Sequence, residues 1–116
     1  MAKARILAVD DQRYFRVFLE DLLVQQGFEV RTAASGDDAL HLLEREAFDV
    51  VVTDLVMPGL SGAELVERVK ARAPEQEVIV VTSVGDVRTA VDAMRMGASD
   101  YLLKPLDPTL LERSLE

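Results

Sequence analysis

The chain has 116 residues, a length typical of one domain, and we expect a single domain over residues 1–116. Hydrophobic residues make up 49% of it, enough for a sizeable core. The formal net charge is −8 at pH 7. A surface this acidic argues against direct binding of nucleic acid or an anionic membrane, because both need a positive footprint.

Cysteine is absent, which excludes a disulfide framework and a thiolate metal site and is compatible with a reducing compartment. The apolar run that follows Arg5 ends at Asp10. This run is too short for a signal peptide or a membrane span. We therefore expect a soluble, cytoplasmic domain.

The first part of the chain predicts two strand–helix units. Residues 6–9 form an apolar run, typical of a buried strand, that ends at Asp10. A helical pattern follows and ends at Gly27, as a helix C-cap would. Residues 28–33 alternate apolar and polar, which predicts a half-exposed strand, and Ser35 has the N-cap position of a second helix. The apolar stripes of these helices are Phe15, Phe18, Leu19, Leu22 and Leu23, then Ala39, Leu42 and Leu43.

The middle of the chain predicts a third unit. Residues 50–52 are three valines, which favour a buried strand, and Asp54 stands at its end. Because a carboxylate is costly to desolvate, Asp54 in this position requires an explanation. Ser61 and Glu64 have capping-box spacing for a third helix, which ends before Pro74. The apolar stripe of this helix is Leu65, Val66 and Val69.

The last part predicts two more units. Residues 78–81 and 101–103 are apolar runs typical of strands. Between them, apolar residues at helical spacing predict a fourth helix closed by Gly97. Asp107 followed by Pro108 is a favourable opening for a fifth helix. The stripes of these two helices are Val87, Ala90, Val91 and Met94, then Leu110, Leu111 and Leu115.

Five alternations of strand and helix predict an α/β fold with a parallel sheet covered by helices on both faces. For five strands the common doubly wound arrangement is flavodoxin-like, with strand order 2-1-3-4-5. We therefore expect a (βα)5 sandwich in which the first and third strands are neighbours.

Four of the five predicted strands end in distinctive polar residues. The carboxyl ends of parallel strands meet at one edge of the sheet, where ligands bind in such folds. Three carboxylates are therefore expected to converge there, with a hydroxyl and an ammonium beside them. These residues are Asp10 and Asp11 after the first strand, Asp54 after the third, Thr82 and Ser83 after the fourth, and Lys104 after the fifth.

This set of groups has a plausible chemistry. Crowded carboxylates repel one another unless a cation lies among them, and an open site with oxygen ligands favours Mg²⁺ over Ca²⁺. A cation and an ammonium beside an aspartate suit phosphoryl transfer, in which an aspartate oxygen attacks phosphorus. The product is an aspartyl phosphate, to which the Thr82 hydroxyl can donate.

Each residue of the set also has an ordinary explanation when taken alone. Asp11 can cap the first helix, and Asp54 can be a turn residue. Thr82 can bond to the backbone, and Lys104 can be solvated. The coincidence of all of them at one predicted edge favours the functional interpretation.

The chain resembles the receiver domain of two-component response regulators along essentially its whole length. Four segments carry the resemblance: residues 9–11, residues 54–59 with Gly62, residues 81–83 and residues 101–105. It implies a phosphorylation-dependent signalling switch that is not an enzyme beyond its own phosphoryl transfer and slow dephosphorylation. Residues 89–98 are also similar to receivers that control transcription activators of the enhancer-binding type.

The resemblance implies a role for each site residue. Asp54 is implied as the phosphoacceptor. The implied Mg²⁺ ligands are Asp10, Asp11, Asp54 and the backbone carbonyl of Val56. The implied phosphate-binding and switch residues are Thr82, Ser83, Lys104 and Tyr101, with Pro105 a candidate for a cis peptide or turn.

The resemblance also implies partners. A sensor histidine kinase donates the phosphoryl group, and small acyl phosphates can replace it. The face formed by the fourth helix, fifth strand and fifth helix then acts on an output domain or effector, or forms a homodimer. We expect an output domain beyond Glu116; a free-standing receiver is the alternative.

Two departures and two alternatives remain. Val56 and Val84 are apolar where polar residues can orient a hydrolytic water, which predicts slow self-dephosphorylation. One alternative function is a receiver-like interaction module that is never phosphorylated. The other is an aspartate-nucleophile phosphatase of the haloacid dehalogenase type, which would need Asp-x-Asp after the first strand, whereas Asp10 and Asp11 are adjacent.

Overall fold

The structure, a computed structural model, describes residues 4–116. Strands and helices alternate along this whole range. Met1, Ala2 and Lys3, which begin the segment predicted to be too short for a signal peptide, lie outside these residues. None of the helices in residues 4–116 combines the length and hydropathy that a membrane span needs. The elements are β1 (Arg5–Val9), α1 (Arg13–Gln25), β2 (Glu29–Ala33), α2 (Gly36–Arg45), β3 (Val50–Thr53), α3 (Gly62–Arg72), β4 (Glu77–Thr82), α4 (Val87–Met96), β5 (Asp100–Leu103) and α5 (Pro108–Ser114).

The strands form one parallel sheet in the order β2-β1-β3-β4-β5, so the predicted fold and strand order are confirmed. The register matters for function. Val9 of β1 pairs with Thr53 of β3, and Thr82 of β4 pairs with Leu103 of β5. The residues that follow each of these pairs therefore emerge side by side at the carboxyl edge of the sheet.

Each strand contributes side chains to two cores, one on each face of the sheet, because successive residues point to opposite faces. Ile6 and Ala8 pack with residues of α1 and α5. Leu7 and Val9 pack with residues of α2, α3 and α4. The unbroken apolar runs of the sequence thus correspond to strands buried on both faces.

The predicted helix ends are confirmed. Ser35 and Ser61 are N-caps whose hydroxyls accept main-chain hydrogen bonds of 3.1 and 3.2 Å from the residue three positions on. Asp107 caps α5 by accepting from the main chain at 2.9 Å. Gly27 and Gly97 follow their helices with φ of 96° and 114°, a region that favours glycine.

The fourth helix forms as predicted, but its apolar stripe lies largely at the surface. Val87 is 78% exposed, Val91 40% and Met94 46%. The helix instead buries Ala93, with Met96 packed against the same core. Helical spacing identifies a helix without showing which of its faces packs on the sheet. In α4 the small side chain of Ala93 is the one that is buried in the core.

Candidate functional site

Three carboxylates meet at the carboxyl edge of the sheet, as predicted. Asp10 follows β1 and Asp54 follows the neighbouring β3, while Asp11 begins the loop to α1. One carboxylate oxygen from each residue lies within 4.8 Å of the other two. Asp10 and Asp54 are buried, at 1% and 6% exposure, whereas Asp11 is exposed. The cluster therefore has two buried acids and one acid open to solvent.

Lys104 lies between the two buried acids. Its Nζ donates to Asp10 Oδ2 at 2.8 Å and to Asp54 Oδ2 at 3.0 Å. Its side chain is only 12% exposed. Burial by itself lowers the pKa of Lys104, but its hydrogen bonds to Asp10 and Asp54 outweigh that effect and the pKa is raised. The ammonium is therefore charged at neutral pH.

The main chain holds Asp54 in place. Its Oδ1 accepts from the N–H of Leu55 at 2.6 Å and from that of Val56 at 3.3 Å. Thr53 Oγ1 donates to the Asp54 carbonyl oxygen at 2.9 Å. One carboxylate oxygen thus faces backbone donors and the other faces Lys104, so the side chain has a defined orientation.

The loop between β1 and α1 presents the acidic pair. Asp10 Oδ1 accepts from the N–H of Gln12 at 2.9 Å, and Arg16 Nη1 donates to the Asp10 carbonyl oxygen at 2.8 Å. The N-cap of α1 is Gln12, whose side chain makes no capping bond. Asp11 is therefore not the cap of the first helix, and its ordinary explanation is wrong.

Thr82 and Tyr101 are joined through one residue, Val84. The N–H of Val84 donates to Thr82 Oγ1 at 3.4 Å, and the Tyr101 hydroxyl donates to the Val84 carbonyl oxygen at 2.5 Å. Burial, followed by the charges of Asp86 and Asp54, raises the pKa of Tyr101. Thr82 is fully buried, and Tyr101 is half-buried against the core beside α4. A change at Thr82 can therefore reach Tyr101 through a single residue, Val84.

The remaining predicted residues lie around this centre. Ser83 is exposed and, with Lys104 and Pro105, lines an open groove beside α1. The Lys104–Pro105 peptide bond is cis. The Val56 side chain is 65% exposed, while its N–H points to Asp54.

The donor set fits a divalent cation. Three carboxylates and one ammonium leave a formal charge of −2, and the converging ligand atoms are all oxygens. Hard cations such as Mg²⁺ and Ca²⁺ prefer such ligands. The acidic pocket of Asp10, Asp11 and Asp54 is therefore suited to a metal ion.

Sequence reasoning missed two contacts at this site. The sequence pattern predicts Phe15 only as part of the apolar stripe of α1, yet the Lys104 ammonium lies 4.1 Å from the centre of its ring. The second contact is that of Arg16, whose guanidinium donates to the Asp10 carbonyl oxygen. Neither contact has a local signal, because each depends on where α1 packs against the sheet.

Comparison with known proteins decides the family. The family model described as the response regulator receiver domain matches residues 6–116. The chain belongs to this family. Receiver domains are phosphoryl-accepting signalling switches that interact with histidine kinases and output domains and are generally not enzymes. The expected family and its general role as a phosphoryl-accepting signalling switch are thereby confirmed.

The receiver domain has curated relatives that are much longer than itself. It is 42% identical over 108 residues to response regulator protein FleR of Pseudomonas aeruginosa, covering 93% of this chain and 23% of that protein. It is 39% identical over 114 residues to transcriptional regulatory protein ZraR of Salmonella typhimurium, covering 98% of this chain and 26% of that protein. The chain thus spans about a quarter of the length of these relatives.

Solved receiver structures resemble it closely. The chemotaxis protein CheY4 of Vibrio cholerae has a TM-score of 0.91 and 32% identity, with 98% of this chain and 97% of that chain covered. A response regulator receiver domain protein of Clostridium thermocellum has a TM-score of 0.91 and 37% identity, with 97% and 90% covered.

Proposed function

We propose that this receiver domain accepts a phosphoryl group from a sensor histidine kinase on Asp54, with Mg²⁺ as the cofactor. One observation carries the proposal. Asp54 is a buried carboxylate that shares its ammonium partner, Lys104, with Asp10 and stands within 4.8 Å of the exposed Asp11. A carboxylate that contacts an ammonium, with neighbouring acids able to hold a cation and one side open to solvent, suits attack on a phosphorylated donor.

The metal ligands proposed are the carboxylates of Asp10, Asp11 and Asp54 and the backbone carbonyl of Val56. When bound, Mg²⁺ supplies positive charge that offsets the charge on the transferring oxygens. Asp11 is the acid best placed to receive it, because it is exposed and has no capping role. The Asp10 carboxylate accepts hydrogen bonds from the N–H of Gln12 and from Lys104, and it is the third acid of the proposed site.

In the proposed transfer a carboxylate oxygen of Asp54 attacks phosphorus. The bond from phosphorus to the donor's imidazole nitrogen breaks, and the electron pair stays on that nitrogen. In the structure the Lys104 ammonium donates to Asp54 Oδ2. After the transfer it donates to an oxygen of the new phosphoryl group. The exposed Ser83 borders the same groove and is proposed as a further phosphate contact.

The phosphoryl group then acts on Thr82. It brings about −1.5 to −2 charges and strong acceptor oxygens beside the site. Thr82 Oγ1 donates to one of these oxygens, and its movement perturbs Val84, to which Tyr101 is bonded. Phosphorylation thus shifts the position of Tyr101 and of the loop that leads into α4.

The surface that carries this signal is proposed to be the face of α4, β5 and α5. It exposes several large apolar side chains, and clusters of such side chains mark interaction sites. An output domain or effector protein is its proposed partner, and a second copy of the chain can use the same face as a homodimer. Its exposed apolar residues are Val87, Val91, Met94, Leu103 and Leu110.

The wider setting follows from the relatives. Because FleR and ZraR are about four times longer than this chain and ZraR is named as a transcriptional regulator, we propose an output domain in the whole protein. Its proposed role is transcription control of the enhancer-binding type, with the receiver over residues 1–116. A cytoplasmic location is proposed because ATP-derived phosphoryl donors occur there.

Self-dephosphorylation is proposed to be slow. Hydrolysis needs a water oriented toward phosphorus, and polar side chains beside Asp54 and Thr82 can provide this. The side chain of Val56 is apolar and exposed. The side chain of Val84 is also apolar, and only the main chain of Val84 forms hydrogen bonds, to Thr82 and Tyr101. Neither valine side chain can hold the water.

The test uses beryllofluoride with Mg²⁺, followed by nuclear magnetic resonance. The wild type is expected to bind it with shifts at Thr82, Val84 and Tyr101, and Asp54→Asn is expected not to bind. Asp37→Asn, an exposed acid in the first turn of α2, is the matched control and should bind normally. Absence of binding by the wild type would leave the inert interaction module, and turnover of assorted phosphate esters would indicate the phosphatase.

A further inference from the structure

We propose that Phe15 is a positioning residue for phosphoryl transfer, because its ring face holds the Lys104 ammonium at the point where it meets Asp10, Asp54 and the incoming phosphoryl group. The inference rests on the proposed function of Asp54. Its basis is the distance of 4.1 Å between Lys104 Nζ and the centre of the Phe15 ring. A cation within about 6 Å of a ring centre is attracted by the negative face of the π system.

The ammonium is held on three sides. Asp10 Oδ2 and Asp54 Oδ2 accept two of its hydrogen bonds, at 2.8 and 3.0 Å, and the Phe15 ring lies against it as well. The lysine side chain is long and flexible, so charge alone does not fix its position. With only 12% of the Lys104 side chain exposed, the ring replaces water that would otherwise surround the charge.

The ring itself cannot move freely. Phe15 is 6% exposed and packs in the core cluster that includes Leu19 and Ile6. The ring of Phe18 lies at a centroid distance of 5.8 Å from that of Phe15, tilted by 44°. The packed ring of Phe15 on α1 therefore faces the ammonium of the flexible Lys104 side chain, which follows β5.

The same helix is tied to the acidic pair. Arg16, next to Phe15 in the chain, donates to the carbonyl oxygen of Asp10 at 2.8 Å. The main-chain N–H of Lys104 donates to the Thr82 carbonyl oxygen at 2.9 Å, which fixes the other end of the lysine. The first turn of α1 thus sets the position of the ammonium relative to the acids that share it.

Phe15 could support Lys104 by its volume alone, as any core residue of that size would, or by the attraction of its ring for the ammonium. The test must separate these two effects. Fluorination does this, because it weakens the negative face of the ring while changing its size little. Phe15 is replaced in the full chain by 3,5-difluoro- and 3,4,5-trifluorophenylalanine. The affinity for beryllofluoride in Mg²⁺ and the phosphorylation rate with acetyl phosphate are then measured.

We expect both quantities to fall stepwise with fluorination, with an overall loss of about fivefold at three fluorines, while the thermal midpoint changes little. The matched control is the same series at Phe48, whose ring lies 4.9 Å from the Arg5 guanidinium at the far end of β1. This control weakens another cation–π contact without touching the site, and its affinity should equal that of the wild type. Equal affinities across the Phe15 series would overturn the inference.

A second measurement separates this inference from the proposed function. The ε-methylene protons of Lys104 should resonate upfield of their usual position in the unphosphorylated protein, because the ring current of Phe15 acts on them. Phe15→Leu should remove this displacement, and Phe15→Trp should keep it. If the wild-type protons resonate at the usual position, the positioning role is wrong even where Asp54 is phosphorylated. If the displacement is present but no adduct forms on Asp54, the proposed function is wrong instead.

Discussion

Gly62 lies directly against the backbone of Asp54. A Cβ at Gly62 would lie 1.8 Å from the Asp54 carbonyl oxygen and 2.6 Å from the Cα of Leu55. The N–H of Gly62 also donates to the Leu55 carbonyl oxygen at 2.9 Å. The first residue of α3 therefore sets the path of the main chain that carries the proposed phosphoacceptor.

Gly62→Ala is expected to destabilise the domain by about 1–3 kcal/mol, because the methyl group overlaps main-chain atoms that have no rotamer to change. It should also displace Asp54 and weaken beryllofluoride binding. Chemical denaturation and the binding assay measure the two effects. Gly85→Ala is the control, since its Cβ would lie 3.6 Å from Leu103, an ordinary contact. Equal stability of Gly62→Ala and the wild type would contradict this account of the close approach.

Lys104→Gln is expected to separate metal binding from phosphorylation. Removing the positive charge 2.8 and 3.0 Å from two carboxylates should tighten Mg²⁺ binding, by about tenfold. The phosphorylation rate should fall, because the phosphoryl group loses its ammonium contact. Calorimetry gives the Mg²⁺ affinity and acetyl phosphate the rate. Lys70→Gln, where the native lysine bonds to the Gln76 carbonyl, is the control. Weaker Mg²⁺ binding by Lys104→Gln would argue against the shared site.

Tyr101 gives a prediction of pH dependence. Burial, with the charges of Asp86 and Asp54, raises its pKa above the ordinary value of 10.0. The folded state therefore binds the phenolic proton more tightly than the unfolded state, and the resulting stability is complete below pH 10.0 and lost as the pH rises through the folded pKa.

The chain has two tyrosines, so Tyr14→Phe leaves Tyr101 as the only phenol. The ultraviolet titration of this variant should have a midpoint above 10.0 when folded and near 10.0 in denaturant. A folded midpoint at or below the denatured one would show that Tyr101 is not held in a buried, negatively charged environment.

Val56→Asn is expected to shorten the lifetime of the aspartyl phosphate severalfold. The asparagine would place a polar group on an exposed side chain beside Asp54, where it can orient a water. Phosphate release after removal of acetyl phosphate measures the lifetime. Val24→Asn, on the exposed face of α1, should leave it unchanged. A longer lifetime in Val56→Asn would refute the explanation for slow self-dephosphorylation.

Most of the fold was accessible from sequence because its signals are local. The apolar runs, the caps at Ser35 and Ser61, and Gly27 and Gly97 each act within a few residues, and the structure has them where they were predicted. The convergence of Asp10 and Asp54 was also accessible, since it follows from the parallel sheet and its register.

The rest depended on tertiary packing. The stripe of Val87, Val91 and Met94 has the right spacing for a helix, yet α4 turns it outward and buries Ala93. The ring of Phe15 beneath Lys104 joins residues far apart in the chain. No local pattern encodes which side chains two separately predicted elements bring into contact.

The central claim is that Asp54 alone accepts the phosphoryl group. The most direct test treats the protein with acetyl phosphate and Mg²⁺, reduces the product with borohydride, and maps the modified residue by mass spectrometry, because reduction converts an aspartyl phosphate to homoserine. We predict one added phosphoryl group per chain before reduction and homoserine at position 54 after it. We predict no modification in Asp54→Asn. Homoserine at position 10 or 11, or phosphorylation that persists in Asp54→Asn, would contradict the account.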